Sequence, residues 1–203
     1  MALGTGGTES RTYTARLVRL ERAGWKRALD VQAPYRWNLR RLLGDRRVLD
    51  VGCGIGRNLV SLSADSLGVD HNPTSVEACR ARGLQALTVD ELEGRADELH
   101  GAFDGLLAAH LLEHLTPGTG AEVLRPYLRF LRPGARLVLI CPQRRGFRSD
   151  ATHTEFLDDA ALAGVVTALG ARLDAQRSFP FPRPLGRVFT YNEFVTVATL
   201  EDV

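Results

Sequence analysis

The sequence has little of several features that mark other classes of protein. It contains no apolar run near the roughly 20 residues that a membrane-spanning helix needs. Its formal net charge of +2 argues against an extended nucleic-acid surface. Its three cysteines are odd in number and lack metal-ligand spacing, and the first ten residues, rich in glycine and threonine, lack an apolar signal core. We therefore expect a cytoplasmic protein without a membrane segment.

The length and composition suit one α/β domain. With 203 residues, 44% of them hydrophobic and 25% charged, the chain is long enough for a sizeable core. Residues 1–45 are predicted to form a tail and a helical cap, with an amphipathic helix over 11–30 and a second helix that starts at Pro34 and ends before Gly44. Residues 46–203 are predicted to form the main domain.

Residues 47–58, Arg-Val-Leu-Asp-Val-Gly-Cys-Gly-Ile-Gly-Arg-Asn, predict a strand, a tight turn and the start of a helix. The short apolar run is typical of a parallel strand that is covered on both faces. Gly52, Gly54 and Gly56 have no Cβ, so the chain can turn sharply and a ligand can approach the backbone closely. The free N–H groups of the helix start favour an anionic or carboxylate-bearing ligand.

The glycine spacing distinguishes between cofactors. A dinucleotide fingerprint needs its third glycine at position 57, which is an arginine. The observed Asp50-x-Gly52-x-Gly54-x-Gly56 resembles the first motif of the class I S-adenosylmethionine-dependent methyltransferases. This resemblance implies S-adenosyl-L-methionine as cofactor, S-adenosyl-L-homocysteine as product, and a binding site made by these four residues and Cys53. A glycine-rich turn in another α/β domain is the alternative.

The second strand, predicted over 66–70, ends on an acid. Asp70 lies about twenty residues beyond the turn, where nucleotide-binding folds place the acid that accepts hydrogen bonds from the ribose hydroxyls. The alternative is that Asp70 only precedes the next helix and binds no ligand. Asn72 is predicted to cap the helix that Pro73 begins. The resemblance implies that His71 and Asn72 border the adenine.

Two further strand ends match the family. A third strand over 84–89 is predicted to end at Asp90, where the family often holds a polar group facing the adenine. The fourth strand, 103–110, begins with Phe-Asp and leads into a small residue and a Glu-His pair, similar to the fourth motif of small-molecule methyltransferases. The resemblance places Ala109 and His110 beside the sulfonium.

Several side chains are candidates for the chemistry. Glu113 and His114 suggest a metal site, but adjacent helix positions point to different faces, so we predict no metal. Because histidine exchanges protons near neutral pH, His153 is our first candidate for a base that accepts the acceptor's proton, with His114 second and Tyr191 third. A hydrogen-bonded structural role is the alternative for each histidine.

The N-terminal cap supplies two more candidate contacts. In the resembled family such helices lie over the cofactor, which implies that Tyr35 and Arg36 touch its methionine end. The alternative is that Tyr35 packs the helix against the sheet.

The order of elements predicts an α/β, Rossmann-like, doubly wound sheet. A helix over 123–131 leads through an Arg-Pro-Gly turn to a fifth strand over 136–141, and a sixth strand is expected over 172–177. Alternate prolines make 179–184 a connection to a last strand over 187–199. The resemblance implies a mostly parallel seven-stranded sheet with an antiparallel last strand and helices on both faces.

We therefore predict a metal-independent methyltransferase that acts on O, N or C of a small molecule. The stretch Ala-His-Leu-Leu replaces the N/D-P-P-Y motif of nucleic-acid amino methyltransferases, and the clustered acids of catechol-type enzymes are missing. Arginines after the fifth strand are compatible with an anionic acceptor, and the alternative is that they are only solvated. The chain is expected to be a monomer or homodimer. The alternatives are an RNA or protein methyltransferase and a cofactor-binding subunit without turnover.

Overall fold

The computed structural model describes residues 32–201 of the chain. The predicted tail and the helix predicted over 11–30 lie outside the described residues. Within them, no helix is both long and apolar enough to cross a membrane.

The described residues form one seven-stranded sheet of order β3-β2-β1-β4-β5-β7-β6. Strands β1 to β5 pair in parallel, and β7 pairs antiparallel with both β5 and β6. The predicted fold class is thereby confirmed, including the antiparallel last strand. The strands are β1 Val48–Val51, β2 Leu67–Asp70, β3 Ala86–Thr88, β4 Phe103–Ala109, β5 Leu131–Pro142, β6 Ala171–Phe179 and β7 Glu193–Leu200.

Helices connect the strands and cover both faces of the sheet. Numbered over the described residues, they are α1 Ala33–Leu43, α2 Pro73–Arg80, α3 Val89–Glu93, α4 Ala96–Leu99, α5 Gly120–Leu124, α6 Arg144–Phe147 and α7 Asp159–Ala168. Helix α1 starts at Ala33, one residue before the predicted Pro34, and ends at Leu43, before Gly44 as predicted. The predicted cap of α2 is also present, because the Asn72 side chain accepts a hydrogen bond from the backbone of Thr74.

Alternation along the strands divides the core into two layers. Leu106 and Ala108 of β4 point to the face covered by α3, α4, α5 and α7, whereas Leu107 and Ala109 point to the face covered by α1. All four are buried. Both faces of the central strands are therefore apolar, and polar side chains can collect only at the strand ends.

Two predicted helices are shorter than expected. The glycine turn leads into a single 3₁₀ turn, Leu59–Ser61. The prediction that an α-helix starts here and offers its free N–H groups to a ligand is therefore wrong. The helix predicted over 123–131 stops at Leu124 and continues as the 3₁₀ segment Arg125–Phe130. Pro126 explains this break because proline has no N–H to continue an α-helix.

Several strand boundaries also differ from the prediction. The fifth strand spans Leu131–Pro142, so the Arg-Pro-Gly sequence predicted as a turn before it lies inside the strand. The third strand ends at Thr88, whose side chain forms a capping box with Glu91 and starts α3. Asp90 therefore lies in the first turn of a helix, exposed, rather than at a strand end. The last strand begins at Glu193 and not at residue 187.

The proline-rich connection over 179–184 is fixed to the sheet by a buried asparagine. Asn192 is fully buried, and its Nδ2 lies 3.1 Å from Gln143 Oε1, 2.9 Å from Ser178 Oγ and 3.1 Å from the Phe181 carbonyl oxygen. Its Oδ1 accepts a hydrogen bond from the Phe181 N–H at 2.9 Å. This one side chain thus replaces the backbone pairing that the prolines cannot make.

We expect Asn192→Ala to lower the free energy of unfolding by about 2–4 kcal/mol, because it leaves buried partners unpaired. Urea unfolding measures the effect. Arg187→Ala, an exposed change in the same connection, is the control and should cost about 0.5 kcal/mol or less. Equal unfolding midpoints for the two variants would contradict this account of the connection.

Candidate active site

The glycine turn lies at the carboxyl end of β1. The backbone N–H groups of Gly52 and Cys53 both donate to the carbonyl of Val69 in β2. Gly52 has a φ of 74°, and a Cβ built on it would lie 2.8 Å from Leu111 Cδ1. Only glycine therefore fits here, and the segment after β4 is in direct contact with the turn.

Asp70 holds the turn in place from the end of β2. Its Oδ2 accepts a hydrogen bond from Gly54 N at 2.8 Å, and its Oδ1 accepts one from Asn72 N at 2.9 Å. The exposed ring of His71 lies 3.5 Å from the same carboxylate. Each carboxylate oxygen retains a further lone pair, so Asp70 can also accept hydrogen bonds from a vicinal diol.

Asp50 is a buried acid, with 1% of its surface exposed. Within residues 32–201, neither of its carboxylate oxygens has a hydrogen-bond partner. Burial, and to a lesser degree the nearby Cys79 and Asp70, raises its pKa well above the usual value. A buried acceptor pair without a donor is costly for the protein alone, and it fits a ligand that carries a positive group.

We expect Asp50→Asn to raise the free energy of unfolding by about 1–3 kcal/mol at about pH 8, and by less at about pH 5. The pKa of Asp50 in the folded state lies above its usual value of 3.8. The wild-type protein therefore loses stability as the pH rises from the usual pKa to the pKa of the folded state. Urea unfolding at the two pH values tests this. We also expect Asp50→Asn to bind S-adenosylmethionine about tenfold more weakly than the wild type, a difference of about 1.4 kcal/mol. Unchanged stability at both pH values would contradict the assignment.

Cys53 turns its side chain away from the ligand side of the turn. A Cβ added to Gly68 of β2 would lie 2.7 Å from Cys53 Sγ, so this thiol lies against the sheet. The Cys79 thiol donates to the Gly54 carbonyl at 3.2 Å. A hydrogen bond with the Cys79 side chain and burial raise the pKa of Cys53. Only the backbone of Cys53 is therefore in a position to serve a ligand.

The N-terminal helix brings Tyr35 to the start of β7. The Tyr35 hydroxyl donates to the carbonyl of Tyr191 at 2.6 Å, and its ring packs edge-on against Phe179. Arg36, beside it on α1, is half-buried. The Tyr191 ring is 56% exposed and packs against Phe189.

His110 lies directly after β4 in a strained conformation. Its φ of 57° is in the left-handed region that non-glycine residues seldom adopt. Its Nδ1 lies 3.2 Å from Glu113 Oε1 and its Nε2 lies 2.9 Å from Glu193 Oε1. Desolvation lowers the pKa of His110, and hydrogen bonds to the two glutamates raise it by more, to about 10. The side chain of His110 is 48% exposed, so solvent weakens both the desolvation and the hydrogen-bond contributions. The pKa is still raised, because two carboxylates contact the one imidazole ring.

His153 joins His114 and Glu113 at the same strand end. The loop before α7 is tied down because the N–H of Thr154 donates to the Glu113 carbonyl at 2.7 Å. The rings of His114 and His153 meet edge to face with their centroids 4.7 Å apart. One potential metal-ligand atom from each of Glu113, His114 and His153 lies within 4.8 Å of the others. The expectation of no metal considered only the adjacent pair 113–114, whereas the fold adds this third residue.

The hydrogen bonds of the two rings define their tautomers. His114 Nδ1 lies 3.2 Å from the Thr152 carbonyl oxygen, and His153 Nδ1 lies 2.8 Å from the Phe147 carbonyl oxygen. Because a carbonyl oxygen can only accept, each Nδ1 carries the hydrogen and each Nε2 has a free lone pair. Burial lowers the pKa of His114, with a smaller contribution from His153. His114 is therefore a neutral acceptor near pH 7.

Sequence reasoning missed two parts of this site. Glu193 binds His110 from 83 positions away, and Leu111 covers the glycine turn. The one available signal for Glu193 was a charged residue at the start of an otherwise apolar strand. No local pattern marked Leu111.

The sheet order, the glycine turn and the acid at the end of β2 define a Rossmann-like domain that binds a nucleoside-containing cofactor at its strand ends. Residues 48–134 match the model of a methyltransferase domain family. The chain thus contains a class I S-adenosylmethionine-dependent methyltransferase domain at these residues, and the methyl donor of such domains is S-adenosylmethionine.

The relatives agree with this assignment. An enzyme of Xanthomonas oryzae pv. oryzae named ubiquinone biosynthesis O-methyltransferase is 34% identical over 105 residues, which cover 48% of this chain and 43% of that protein. The enzyme of the same name from Azorhizobium caulinodans is 38% identical over 85 residues, covering 38% of this chain and 33% of that protein. The chain thus spans less than half the length of these curated relatives.

Solved structures share the fold over most of the chain. A Haloferax volcanii methyltransferase in complex with the activator Trm112 covers 96% of this chain and 97% of its own, with a TM-score of 0.69 and 17% identity. A methyltransferase from Archaeoglobus fulgidus covers 81% of this chain and 92% of its own, with a TM-score of 0.59 and 22% identity. At these identities the likeness concerns the fold alone.

Proposed function

We propose that this chain transfers the methyl group of S-adenosylmethionine to a hydroxyl oxygen of a small molecule. The observation that carries the proposal is the cluster of Glu113, His114 and His153 at the carboxyl end of β4, on the segment that contacts the glycine turn. The matched relatives named as O-methyltransferases support oxygen as the methylated atom. Residues 46–203 are the proposed catalytic domain, with α1 as part of its cap.

The residues that bind the cofactor fit its parts. Asp70 offers acceptors to the ribose hydroxyls, Gly52 allows close approach to the backbone, and Asp50 offers a buried carboxyl group whose oxygens have no partner within residues 32–201. The bound cofactor supplies a methyl group whose bond to sulfur breaks, the electron pair remaining on sulfur. The protein aligns the acceptor and excludes water.

The histidines serve the acceptor. A hydroxyl oxygen that attacks a methyl carbon must lose its proton, and the free Nε2 of His153 or His114 is placed to accept it. The strained His110, held by Glu113 and Glu193, keeps the end of β4 against the start of β7.

An assay of S-adenosylhomocysteine formation tests the function. The purified chain is incubated with S-adenosylmethionine and with pools of phenols, carboxylate-bearing phenols and amines, and the methylated product is identified by mass spectrometry. We expect transfer to a phenolic hydroxyl. Transfer only to amines would overturn the choice of oxygen, and transfer only to added RNA or protein would overturn the small-molecule proposal. Cofactor binding without any transfer would favour a non-catalytic subunit.

A further inference from the structure

Glu113 presents a carboxylate oxygen for which residues 32–201 supply no hydrogen-bond donor. The residue is 0% exposed, and its Oε1 is taken up by the hydrogen bond with His110. Within the described chain its Oε2 has no hydrogen-bond partner. A buried carboxylate oxygen without a donor is costly, and a cation or a hydrogen-bond donor would satisfy it.

The two neighbouring histidines offer only further acceptors. With each Nδ1 hydrogen donated to a backbone carbonyl, the nitrogen that remains on each ring carries a lone pair. Metal-binding histidines in proteins use this arrangement, because a second hydrogen bond fixes the ring and its tautomer. One potential ligand atom from each of the three side chains lies within 4.8 Å of the others, and a positive ion is a partner that suits all three.

From this convergence we infer that Glu113, His114 and His153 form a binding site for one divalent metal ion. Two imidazoles and one carboxylate form a donor set that suits Zn²⁺ and similar transition ions and leaves coordination positions open. The potential ligand atoms lie within 4.8 Å of one another. Tetrahedral ligands at 2.0–2.1 Å from zinc are about 3.3 Å apart, so side-chain movements of at most about 1.5 Å close the site.

The ion would hold the oxygen of the acceptor, a role that rests on the proposed function. The segment carrying Glu113 and His114 contacts the glycine turn through Leu111, so an ion held there would lie on the segment next to the proposed cofactor site. With the ion bound, the two histidines hold the metal in place of accepting the acceptor's proton. The hydroxyl of an acceptor bound to the ion would then lose its proton to water more readily than a free one. The resulting oxygen forms the bond to the methyl carbon as the carbon–sulfur bond breaks, and the electron pair goes to sulfur.

Metal titration of the full chain tests the inference without any acceptor. The protein is treated with a chelator, freed of it, and titrated with Co²⁺ by visible absorption and with Zn²⁺ by calorimetry. We expect one equivalent of each ion per chain, and at least tenfold weaker binding for His114→Ala and His153→Ala. Glu113→Gln should weaken binding to a similar extent. If this buried change unfolds the protein, the two histidine variants still decide the outcome.

His100→Ala is the matched control because it also removes one imidazole, from an exposed position at the end of α4. It should bind both ions like the wild type. Absence of stoichiometric binding, or histidine variants that bind as well as the control, would overturn the site.

The turnover experiment separates this inference from the proposed function. Chelation should abolish methyl transfer, and added Zn²⁺ or Co²⁺ should restore it. Turnover that persists through chelation would overturn the metal's role while leaving methyl transfer intact. One tightly bound ion in a chain that methylates no small molecule would support the site and overturn the proposed function.

Discussion

Replacing Asp70 with alanine is expected to weaken the binding of S-adenosylmethionine by about 100-fold or more, equivalent to about 2.8 kcal/mol. The carboxylate supports Gly54 and Asn72 by two hydrogen bonds and, in our proposal, also binds the two ribose hydroxyls. Hydrogen bonds to a charged group contribute about 1.5–3 kcal/mol each, so the loss of two from the ligand alone accounts for this effect. Calorimetry with the cofactor and with S-adenosylhomocysteine measures the affinity.

Two variants check that the effect is local. Asp70→Asn keeps the shape but has only one acceptor oxygen, so we expect an affinity between those of the alanine variant and the wild type. Asp97→Ala, an exposed change on α4, should leave the affinity unchanged. Asp70→Ala with wild-type affinity and a wild-type melting temperature would show that the cofactor binds elsewhere.

The parts of the site that follow from short sequence patterns were predictable. A strand followed by alternating glycines could end only in a turn, and Gly52 has the positive φ that such a turn requires. The Asn72-Pro73 pair predicted a helix cap, and the structure contains that cap. In each case the interaction joins residues close together in the chain, so the local sequence specifies it.

The parts that depend on distant contacts were not predictable. His153 contacts His114, 39 positions away in the sequence, because the N–H of Thr154 donates a hydrogen bond to the Glu113 carbonyl. No periodicity in the sequence predicts that hydrogen bond. His110 adopts a backbone conformation that its residue type disfavours, and only the two glutamates explain it. The placement of Asp90 failed for the opposite reason, because a local capping box ended the strand early.

Replacing His153 with alanine should lower kcat by about 100-fold to 10,000-fold, the range attributed to a positioned acid or base. The affinity for S-adenosylmethionine should stay within about threefold of the wild type, because the ring contacts Phe147 and His114 rather than the glycine turn. His114→Ala should show the same pattern, since the two rings share one cluster.

The split between turnover and cofactor affinity is the informative result. A residue that merely supports the fold would lower stability and both constants together, whereas a residue that activates the acceptor lowers kcat alone. His100→Ala again serves as the control, with wild-type turnover expected. If His153→Ala and His114→Ala both keep near-wild-type kcat at saturating cofactor, neither histidine acts on the acceptor. The proton must then leave by another route, and Tyr35 and Glu193 at the start of β7 become the groups to vary next.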